Sequence, residues 1–259
     1  MVKGLYTAHT GMVNEMKRLD ILANNLANAD TTAYKKEGTT SRTFADEMSL
    51  RLKDSSNAYL PKKLGEITYG VHLGQVYTDY DSGSFKVTDN ATDFAIAFTD
   101  KSGNTSVKYT RDGSFTVNTE GYLVTKDGDY VLNATGAMNG DPDPRNRIQV
   151  DPNATISVNK LGYIMQNDQI VGTLGMVDID NYDYLEKYGE NMYNLLDGGT
   201  RIATDANVEQ GVLETSNVNV IKEMVNMITI QRAYEAGQKV ITSIDSTLDR
   251  AVNNVGRVQ

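Results

Sequence analysis

Two long amphipathic segments, one near each end of the chain, constrain its fold more than any other feature. Residues 3–29 and 217–255 carry apolar residues at steps of three and four, which places those residues along helix faces. Most of the sequence between them consists of short β-like runs separated by turns rich in Gly, Asp and Asn. A chain with long helices only at its ends either pairs them with each other or offers them to other chains.

The C-terminal segment carries a seam with heptad spacing and a second apolar stripe beside it. The seam runs from Met224 to Val255 and is interrupted by polar residues. Two stripes indicate that the helix has more than one neighbour. An internal hairpin of the two terminal helices and an intermolecular bundle both remain open. The second stripe comprises Ile221, Val225, Ile228, Val240, Ile244 and Ala251.

The region between the helices has the sequence pattern of an antiparallel β domain. Residues 94–98 form an apolar run, and turn sequences at 119–121, 127–129 and 139–144 separate other strand-like segments. We therefore predict an α+β fold, mainly β, in which the terminal helices pair as a coiled-coil layer beside a central antiparallel β domain. The expected boundaries are 1–35 and 210–259 for the terminal helical coiled-coil domain, 36–65 for a linker or arm, and 66–209 for the β domain.

Local signals at the edges of these regions give two further expectations. The spacing of Phe44, Met48 and Leu52 suggests a short helix, followed by loop-like sequence at 55–61. The C-terminal helix is expected to begin at a residue whose side chain can accept a hydrogen bond from the first turn. Three such residues precede it: Thr215, Ser216 and Asn217.

Composition and charge argue against several classes of function. A net charge of -9 argues against a nucleic-acid partner, because phosphate binding needs a basic surface. The chain has no cysteine, which excludes disulfides and thiolate metal sites. No apolar block reaches the roughly 18 residues of a membrane span, and the N-terminus lacks the apolar core of a cleaved secretory signal. We therefore expect no membrane insertion, and either a cytoplasmic location or export without a cleaved signal.

Residues that could carry catalysis are few, and none lies in a catalytic motif. His9 and His72 stand alone in the sequence. Ser157 and Lys160 match the Ser-x-x-Lys pattern of some acyl enzymes, but they lie in strand-like and turn-like sequence instead of at a helix start. The acidic clusters lack the closing glutamate of a calcium loop. We predict no enzyme activity, cofactor, metal or small-molecule substrate.

Three stretches of the chain resemble the flagellar rod and hook family of axial proteins. Residues 19–35, with the sequence LDILANNLANADTTAYK, resemble the N-terminal motif of that family. Residues 210–235, which begin QGVLETSNVNV and end QRAYE, resemble its C-terminal motif. Residues 109–124, which contain YTRDGSF and GYLV, are similar to its central β module. Ala33 stands where the family commonly has glycine, so we expect a different turn there.

The resemblance implies a structural subunit of the bacterial flagellar basal-body rod, of the distal-rod or related proximal-rod type. Such a subunit is exported through the flagellar type III apparatus and self-assembles into a helical tube that transmits torque from motor to hook. Its implied partners are further copies of itself, other rod and hook proteins and the export apparatus. Its implied location is the extracytoplasmic rod, in the periplasm or spanning the cell wall. The alternative outside this family is a surface adhesin or secreted effector with a closed coiled-coil stalk.

We predict two sets of residues for assembly of subunits. For the apolar set the alternative role is packing within one chain, and for the polar set it is capping or a solvated face. The set expected to pack helices between subunits comprises Leu19, Leu22, Leu26, Met224, Met227, Tyr234, Ile241 and Leu248. The set expected to fix register, or to belong to the motifs, comprises Asn24, Asn25, Asn28, Tyr34, Gln210, Gly211, Glu214, Ser216, Asn217, Gln231 and Arg232.

Overall fold

A computed structural model of the chain describes residues 2–44, 47–51, 62–88, 90–92, 97–99, 107–204 and 207–255. The predicted α+β architecture, with helices at both ends and antiparallel strands between them, is confirmed. The helices are α1 (Val2–Ala27), α2 (Ala134–Asn139) and α3 (Val220–Val255), with short 3-10 helices at Pro144–Asn146 and Tyr182–Tyr184. The strands are β1 (Glu37–Thr43), β2 (Glu47–Arg51), β3 (Lys62–Ile67), β4 (Val71–Thr78), β5 (Phe85–Val87), β6 (Ala97–Thr99), β7 (Val107–Thr110), β8 (Phe115–Val117), β9 (Leu123–Thr125), β10 (Tyr130–Val131), β11 (Ser157–Val158), β12 (Tyr163–Gln166), β13 (Gln169–Thr173), β14 (Val177–Ile179), β15 (Leu185–Tyr188), β16 (Met192–Leu195), β17 (Arg201–Ala203) and β18 (Val212–Glu214).

The chain folds into two compact units, each built from separated stretches of sequence. The helical unit comprises Met1–Ala27, Lys36–Asp79 and Asn219–Gln259, and the β unit comprises Asn28–Lys35 and Tyr80–Val218. The stretch expected to be a linker or arm contributes strands to the helical unit. The motif segments before Lys36 and before Asn219, which the sequence assigned to the terminal helical domain, belong to the β unit.

The helices α1 and α3 pack against each other in antiparallel orientation within the helical unit. A methyl group placed on Gly4 would lie 3.5 Å from Ile244 Cδ1, and one placed on Gly237 would lie 2.7 Å from Met12 Cγ. At 1.5 Å per residue, α1 is about 39 Å long and α3 about 54 Å. The predicted pairing of the terminal helices is therefore confirmed.

The helix α3 begins three residues later than the sequence pattern indicates. Asn219 caps it, because its Oδ1 accepts a hydrogen bond from Lys222 N at 3.0 Å. The three residues expected to act as caps have other partners. Ser216 Oγ accepts from Val218 N at 3.2 Å, and the side chain of Asn217 donates to Asp81 O at 3.1 Å. The hydroxyl of Thr215 donates to Ser84 O at 2.9 Å.

Gly11 of α1 and Gly237 of α3 should respond in opposite ways to alanine. No atom lies within 4 Å of a methyl group placed on Gly11, so Gly11→Ala is expected to raise the free energy of unfolding by about 0.5–1 kcal/mol through helix propensity. At Gly237 the methyl group would overlap Met12, and we expect a loss of about 1 kcal/mol or more. Urea unfolding followed by circular dichroism measures both. Equal stabilisation by both substitutions would contradict the close approach at Gly237.

Two antiparallel strand pairs complete the helical unit. β1 pairs with β4, and β2 pairs with β3. The expected short helix through Phe44, Met48 and Leu52 is wrong, because Met48 lies in β2, where long-range pairing overrides the local spacing. Leu52 and the loop-like sequence 55–61 lie outside the described residues. The ring of Phe44, just after β1, lies 5.0 Å from that of His72 on β4.

The β unit is an antiparallel assembly around one apolar core. Its largest sheet has the strand order β15-β16-β7-β6-β10-β9-β8, and a second has the order β11-β12-β13. β14 pairs with β17, and β5 with β18. Of the apolar run at 94–98, residues 97 and 98 lie in β6, and 94–96 are outside the described residues. The core includes Val107, Tyr109, Phe115, Leu123, Val131, Leu132, Ile148, Ile164, Leu174 and Tyr193.

Turns of the β unit lie where the sequence predicts them, and a short helix that it does not predict precedes the turn at 139–144. The turns predicted at 119–121 and 127–129 are confirmed, with Gly121 at φ +83° and Gly128 at φ +92°. The helix α2 was not expected. Asn133 caps it by accepting from Gly136 N, and Gly140 ends it in the left-handed conformation. Six residues are too few to show helical periodicity.

Candidate functional site

One face of α3 stays exposed although α1 packs against another. Ile221 is 76% exposed, Val225 57% and Ile228 50%. These residues follow one another at steps of four and three, so their side chains lie on one side of the helix. We call Ile221, Val225 and Ile228 the apolar ridge of α3. Contiguous apolar exposure of this kind marks interaction sites in soluble proteins.

The residues predicted to pack helices between subunits are incompletely covered by their own chain. Met224 is 48% exposed. Among the α3 side chains that the structure describes, the buried apolar one is Ile230, at 5% exposure, and the sequence analysis did not select it. Ile230 lies beside the heptad seam instead of on it, so spacing alone does not reveal it. The remaining predicted residues are half-buried: Leu19, Leu22, Leu26, Met227, Tyr234, Ile241 and Leu248. Their packing between subunits stays a prediction.

A buried ion pair between Lys35 and Glu214 joins the N-terminal and C-terminal motif segments inside the β unit. Lys35 Nζ lies 2.7 Å from Glu214 Oε1, and the two side chains are 0% and 9% exposed. Lys35 Nζ also donates to Asp81 O at 2.8 Å, and Glu214 Oε1 accepts from Gly83 N at 2.9 Å. Arg111 Nη1 lies 3.9 Å from the same carboxylate oxygen. These partners let both charges be buried, and we call the five residues the Lys35–Glu214 cluster.

Hydrogen bonds beside this cluster fasten the same two motif segments. Ala33 N donates to Glu214 O at 2.9 Å, and Asn217 N donates to Tyr34 O at 3.4 Å. Tyr34 is fully buried. Tyr34, Glu214 and Asn217 were predicted as register or motif residues, and the structure brings them together within one chain. A role in register between subunits stays a prediction for them.

Ala33 holds a backbone conformation that suits glycine. Its φ is +56° and its exposure is 1%. The left-handed region costs a residue with a Cβ about 1–2 kcal/mol. The turn therefore holds Ala33 in a conformation that a glycine adopts without strain, and a difference from the turn of other family members stays a prediction. Alanine bears the strain of that turn.

Two more polar residues of the predicted set are hydrogen-bonded inside a single unit. In the helical unit, Asn25 Nδ2 donates to Glu37 O at 2.8 Å and Asn25 Oδ1 accepts from Glu37 N at 2.9 Å. In the β unit, Gln210 Nε2 donates to Ile156 O at 2.9 Å and Gln210 Oε1 accepts from Val158 N at 3.0 Å. Amides whose two ends are both engaged in this way fix the local fold.

The other predicted polar residues divide between turns and exposed helix surface. Asn28 Oδ1 accepts from the hydroxyl of Thr31 at 3.2 Å, and Ser216 Oγ accepts from a backbone N–H. Gly211 has φ +76°, which a residue with a side chain would adopt only with strain. Three members of the set have exposed side chains on α1 or α3: Asn24, Gln231 and Arg232.

The catalytic candidates remain apart in the structure. His9 is exposed on α1 and His72 is exposed on β4. Ser157 lies on β11 and Lys160 in the following turn, both exposed, as the sequence indicated. Over the part of the chain that the structure describes, no three histidine, aspartate or glutamate side chains converge to hold a metal ion. No helix in those same residues combines the length and apolarity needed to cross a membrane.

Family models match three parts of the chain. Residues 5–35 match the model described as flagella basal body rod protein. Residues 94–166 match the flagellar hook protein FlgE/F/G D1 domain, and residues 209–254 match the flagellar basal body rod FlgEFG protein C-terminal region. The outer two matches contain the segments joined by the Lys35–Glu214 cluster.

Relatives with similar sequences span the full length of the chain. The chain is 33% identical over 263 residues to the flagellar basal-body rod protein FlgF of Caulobacter vibrioides, with all of both chains covered. It is 30% identical over 268 residues to FlgG of Bacillus subtilis, covering 98% of this chain and 99% of that protein. Nothing in these matches supports the surface adhesin or secreted effector. The chain therefore belongs to the flagellar basal-body rod family, as a structural subunit of the FlgF/FlgG type in the basal body of the flagellum.

Proposed function

We propose that this rod subunit polymerises through its terminal helices into a tube that transmits torque from the motor to the hook. Its partners are further copies of itself and the neighbouring rod and hook proteins. The observation that carries this proposal is the apolar ridge of α3, which remains exposed when α1 and α3 are paired. An intramolecular hairpin of the terminal helices therefore does not use up the apolar surface of α3.

The ridge supplies part of the free energy that such an interface needs. Moving one Ile or Val side chain from water into an apolar contact contributes about 1.5–3 kcal/mol. The loss of translational and rotational freedom on association costs about 4–15 kcal/mol. The ridge and the half-buried seam residues must therefore act together, which suits contacts with more than one neighbouring subunit.

An open polymer requires that the ridge of one copy contact a different surface of the next copy. An interface between two different surfaces, repeated from copy to copy, generates a helical filament when the rotation does not close. Because α3 is about 54 Å long, it provides an extended surface for contacts with neighbouring subunits.

We infer that the chain is exported in an unfolded form through the flagellar type III apparatus and works outside the cytoplasm. The absence of cysteine supports this route, because an unfolded chain without cysteine cannot mispair in an oxidising compartment. In a strain that lacks a functional export apparatus, the chain should accumulate in the cytoplasm. Its appearance outside those cells would contradict the inference.

We also propose that the chain has no enzymatic role. The relatives carry the names of structural rod proteins. The strand and turn positions of Ser157 and Lys160 do not provide the helix start at which a Ser-x-x-Lys pair works. Hydrolase activity that disappears in Ser157→Ala would overturn this proposal.

Polymerisation is tested on the purified chain by sedimentation and negative-stain electron microscopy over a range of concentrations. We expect a monomer at low concentration and tubes or filaments above a critical concentration. Limited proteolysis with mass spectrometry should cut α3 faster in the monomer than in the polymer, because its apolar ridge is exposed in the single chain and covered on assembly. A fixed dimer or trimer at every concentration, with protease-resistant termini, would instead indicate a closed stalk.

A further inference from the structure

The side of α3 that packs against α1 continues past the point that the described part of α1 reaches. A methyl group placed on Gly4 of α1 would lie 3.5 Å from Ile244 Cδ1 of α3. Ala251 follows Ile244 by seven residues, so it lies on the same side of α3. At 1.5 Å per residue, α1 extends only about 3 Å past Gly4 to Val2, whereas Ala251 lies about 10 Å past Ile244. The described part of α1 therefore does not cover the C-terminal end of this side.

Three apolar residues occupy this uncovered end, and we call Leu248, Ala251 and Val252 the overhang of α3. Leu248 follows Ile244 by four residues, and Val252 follows Leu248 by four, so their side chains are neighbours on the helix. Leu248 and Ala251 are half-buried, and Val252 is 70% exposed. The overhang therefore continues the α1–α3 interface with apolar surface that its own chain covers only in part.

The overhang repeats an apolar pattern from the N-terminal end of α3, where the apolar ridge lies. Ile221, Met224 and Val225 are 76%, 48% and 57% exposed, and each has an apolar counterpart in the overhang 27 positions later. Each set has the spacing of the d, g and a positions of a heptad, and parallel helices bring d opposite d and a opposite a. The counterparts at this offset are Ile221 and Leu248, Met224 and Ala251, and Val225 and Val252.

The two matching sets point to opposite sides of α3. An offset of 27 residues corresponds to about 7.5 turns at 3.6 residues per turn, and the additional half turn reverses the direction. A second copy displaced by about 40 Å along the axis of α3, without rotation about that axis, therefore presents its ridge to the overhang of the first. Such a displacement does not close on itself, so the same contact can continue from copy to copy.

Continuity with the α1–α3 interface and the matched spacing identify the occupant of the overhang. Along the rest of its length this side of α3 packs against a helix, so a helix is the element that continues the interface. The α3 of a second copy is such a helix, and its exposed ridge has the spacing that the overhang matches. Contact between the two sets removes apolar side chains of both from water, which stabilises the contact.

We propose that the overhang of one copy packs in parallel against the apolar ridge of the next copy, with Leu248 opposite Ile221 and Val252 opposite Val225. Beside the overhang, α3 of the next copy takes the position that α1 holds along the preceding part of the helix. The inference rests on the proposed polymerisation and identifies the surface that receives the ridge.

Val252→Glu tests the overhang without disturbing the monomer, because Val252 is 70% exposed there. In the polymer the new carboxylate would be buried against apolar side chains, so the critical concentration should rise at least about tenfold. Gln169→Glu, at an exposed position of β13, is the matched control and should change it less than about threefold. An unchanged critical concentration for Val252→Glu, or an equal rise for Gln169→Glu, would overturn the proposal.

A charge pair tests which residues face each other. Val225→Lys should also raise the critical concentration, because it places a cation in the same contact. The double variant Val225→Lys with Val252→Glu should polymerise at a concentration at least about fivefold below that of either single variant, because opposite charges then meet between copies. Within one chain these positions are about 40 Å apart and cannot pair. The combination of Val225→Lys with Gln169→Glu should give no such recovery, and equal recovery in both would overturn the proposal.

Cross-linking identifies the partner independently of affinity. Because the chain has no cysteine, Val252→Cys and Val225→Cys copies can be mixed, polymerised and treated with a short bis-maleimide. We expect a covalent dimer that contains one copy of each variant, and little product when Gln169→Cys replaces Val225→Cys. Dimers formed by Val252→Cys alone would indicate that two overhangs meet, which would overturn the assignment of the ridge as the occupant.

The same experiments separate this inference from the proposed function. A wild-type chain that forms no polymer would refute polymerisation itself, and this contact with it. A wild-type chain that polymerises, together with a Val252→Glu variant that does so at the same concentration, would refute only the contact between overhang and ridge.

Discussion

Val225→Asp is expected to abolish polymerisation and motility while the monomer remains folded. Val225 is 57% exposed in the free chain, so an aspartate there keeps its hydration and costs the monomer little. In the polymer the same carboxylate would be buried against apolar side chains without a partner, which costs several kcal/mol or more. Sedimentation of the purified variant and swarming of a strain that carries it measure the two effects.

The control for Val225→Asp is Gln169→Asp, which adds the same charge to an exposed position of β13, outside the terminal helices. Gln169 belongs neither to the apolar ridge nor to the heptad seam of α3, so this variant should still polymerise. A polymer formed by Val225→Asp at the wild-type critical concentration would show that the ridge is not an assembly surface. Circular dichroism of both monomers confirms that each variant is folded.

Lys35→Met is expected to lower the free energy of unfolding of the β unit by about 3–5 kcal/mol, because it leaves the buried Glu214 carboxylate without its closest cation. Methionine has a similar length and preserves much of the packing. The residual contacts of Glu214 with Gly83 N and, at 3.9 Å, with Arg111 are too few to replace the ion pair. Chemical denaturation followed by circular dichroism provides the measurement.

Lys36→Met is the matched control for that experiment. The neighbouring lysine forms an ion pair with Asp79 in which the side chains are 33% and 25% exposed, so its loss should cost less than about 1 kcal/mol. Equal effects of the two substitutions would mean that the Lys35–Glu214 cluster contributes no more than a surface ion pair. A double variant, Lys35→Met with Glu214→Leu, should regain part of the stability, because no buried charge is left alone.

The terminal helices are predictable from the sequence because helical periodicity is a local property. Steps of three and four within each segment suffice to place α1 and α3. The start of α3 is less predictable, because several neighbouring residues can cap a helix and tertiary contacts select one. Thr215 and Asn217 bond to the backbone carbonyls of Ser84 and Asp81 in the β unit, which leaves Asn219 as the cap.

The strand pairs of the helical unit could not be predicted from local sequence periodicity. The sequence of β1, EGTTSRT, is polar and shows little alternation, so it resembles a linker. Its partner β4 is distant in sequence, and both strands contact α1. Strand formation here depends on a partner that local pattern analysis does not consider.

Part of the Lys35–Glu214 cluster can be predicted from the resemblance to the family motifs, but none of it can be predicted from the composition of the chain. Motif similarity singles out Glu214, Tyr34 and Asn217, although it implies contacts between subunits. Lysine is rarely fully buried, so nothing in the sequence marks Lys35 as a core residue. Its partner lies 179 positions away, and only the folded chain shows the pair.

The interleaved path of the chain has a consequence for timing. The polypeptide passes between its two units at residues 27/28, 35/36, 79/80 and 218/219, so neither unit is a continuous stretch. When a chain is delivered from its N-terminus, the ion pair of Lys35 cannot form until Glu214 is available, and α1 cannot pack against α3 until α3 is available. Contacts of such long sequence separation form late. Folding of both units can therefore be completed only after the C-terminal segment has been delivered.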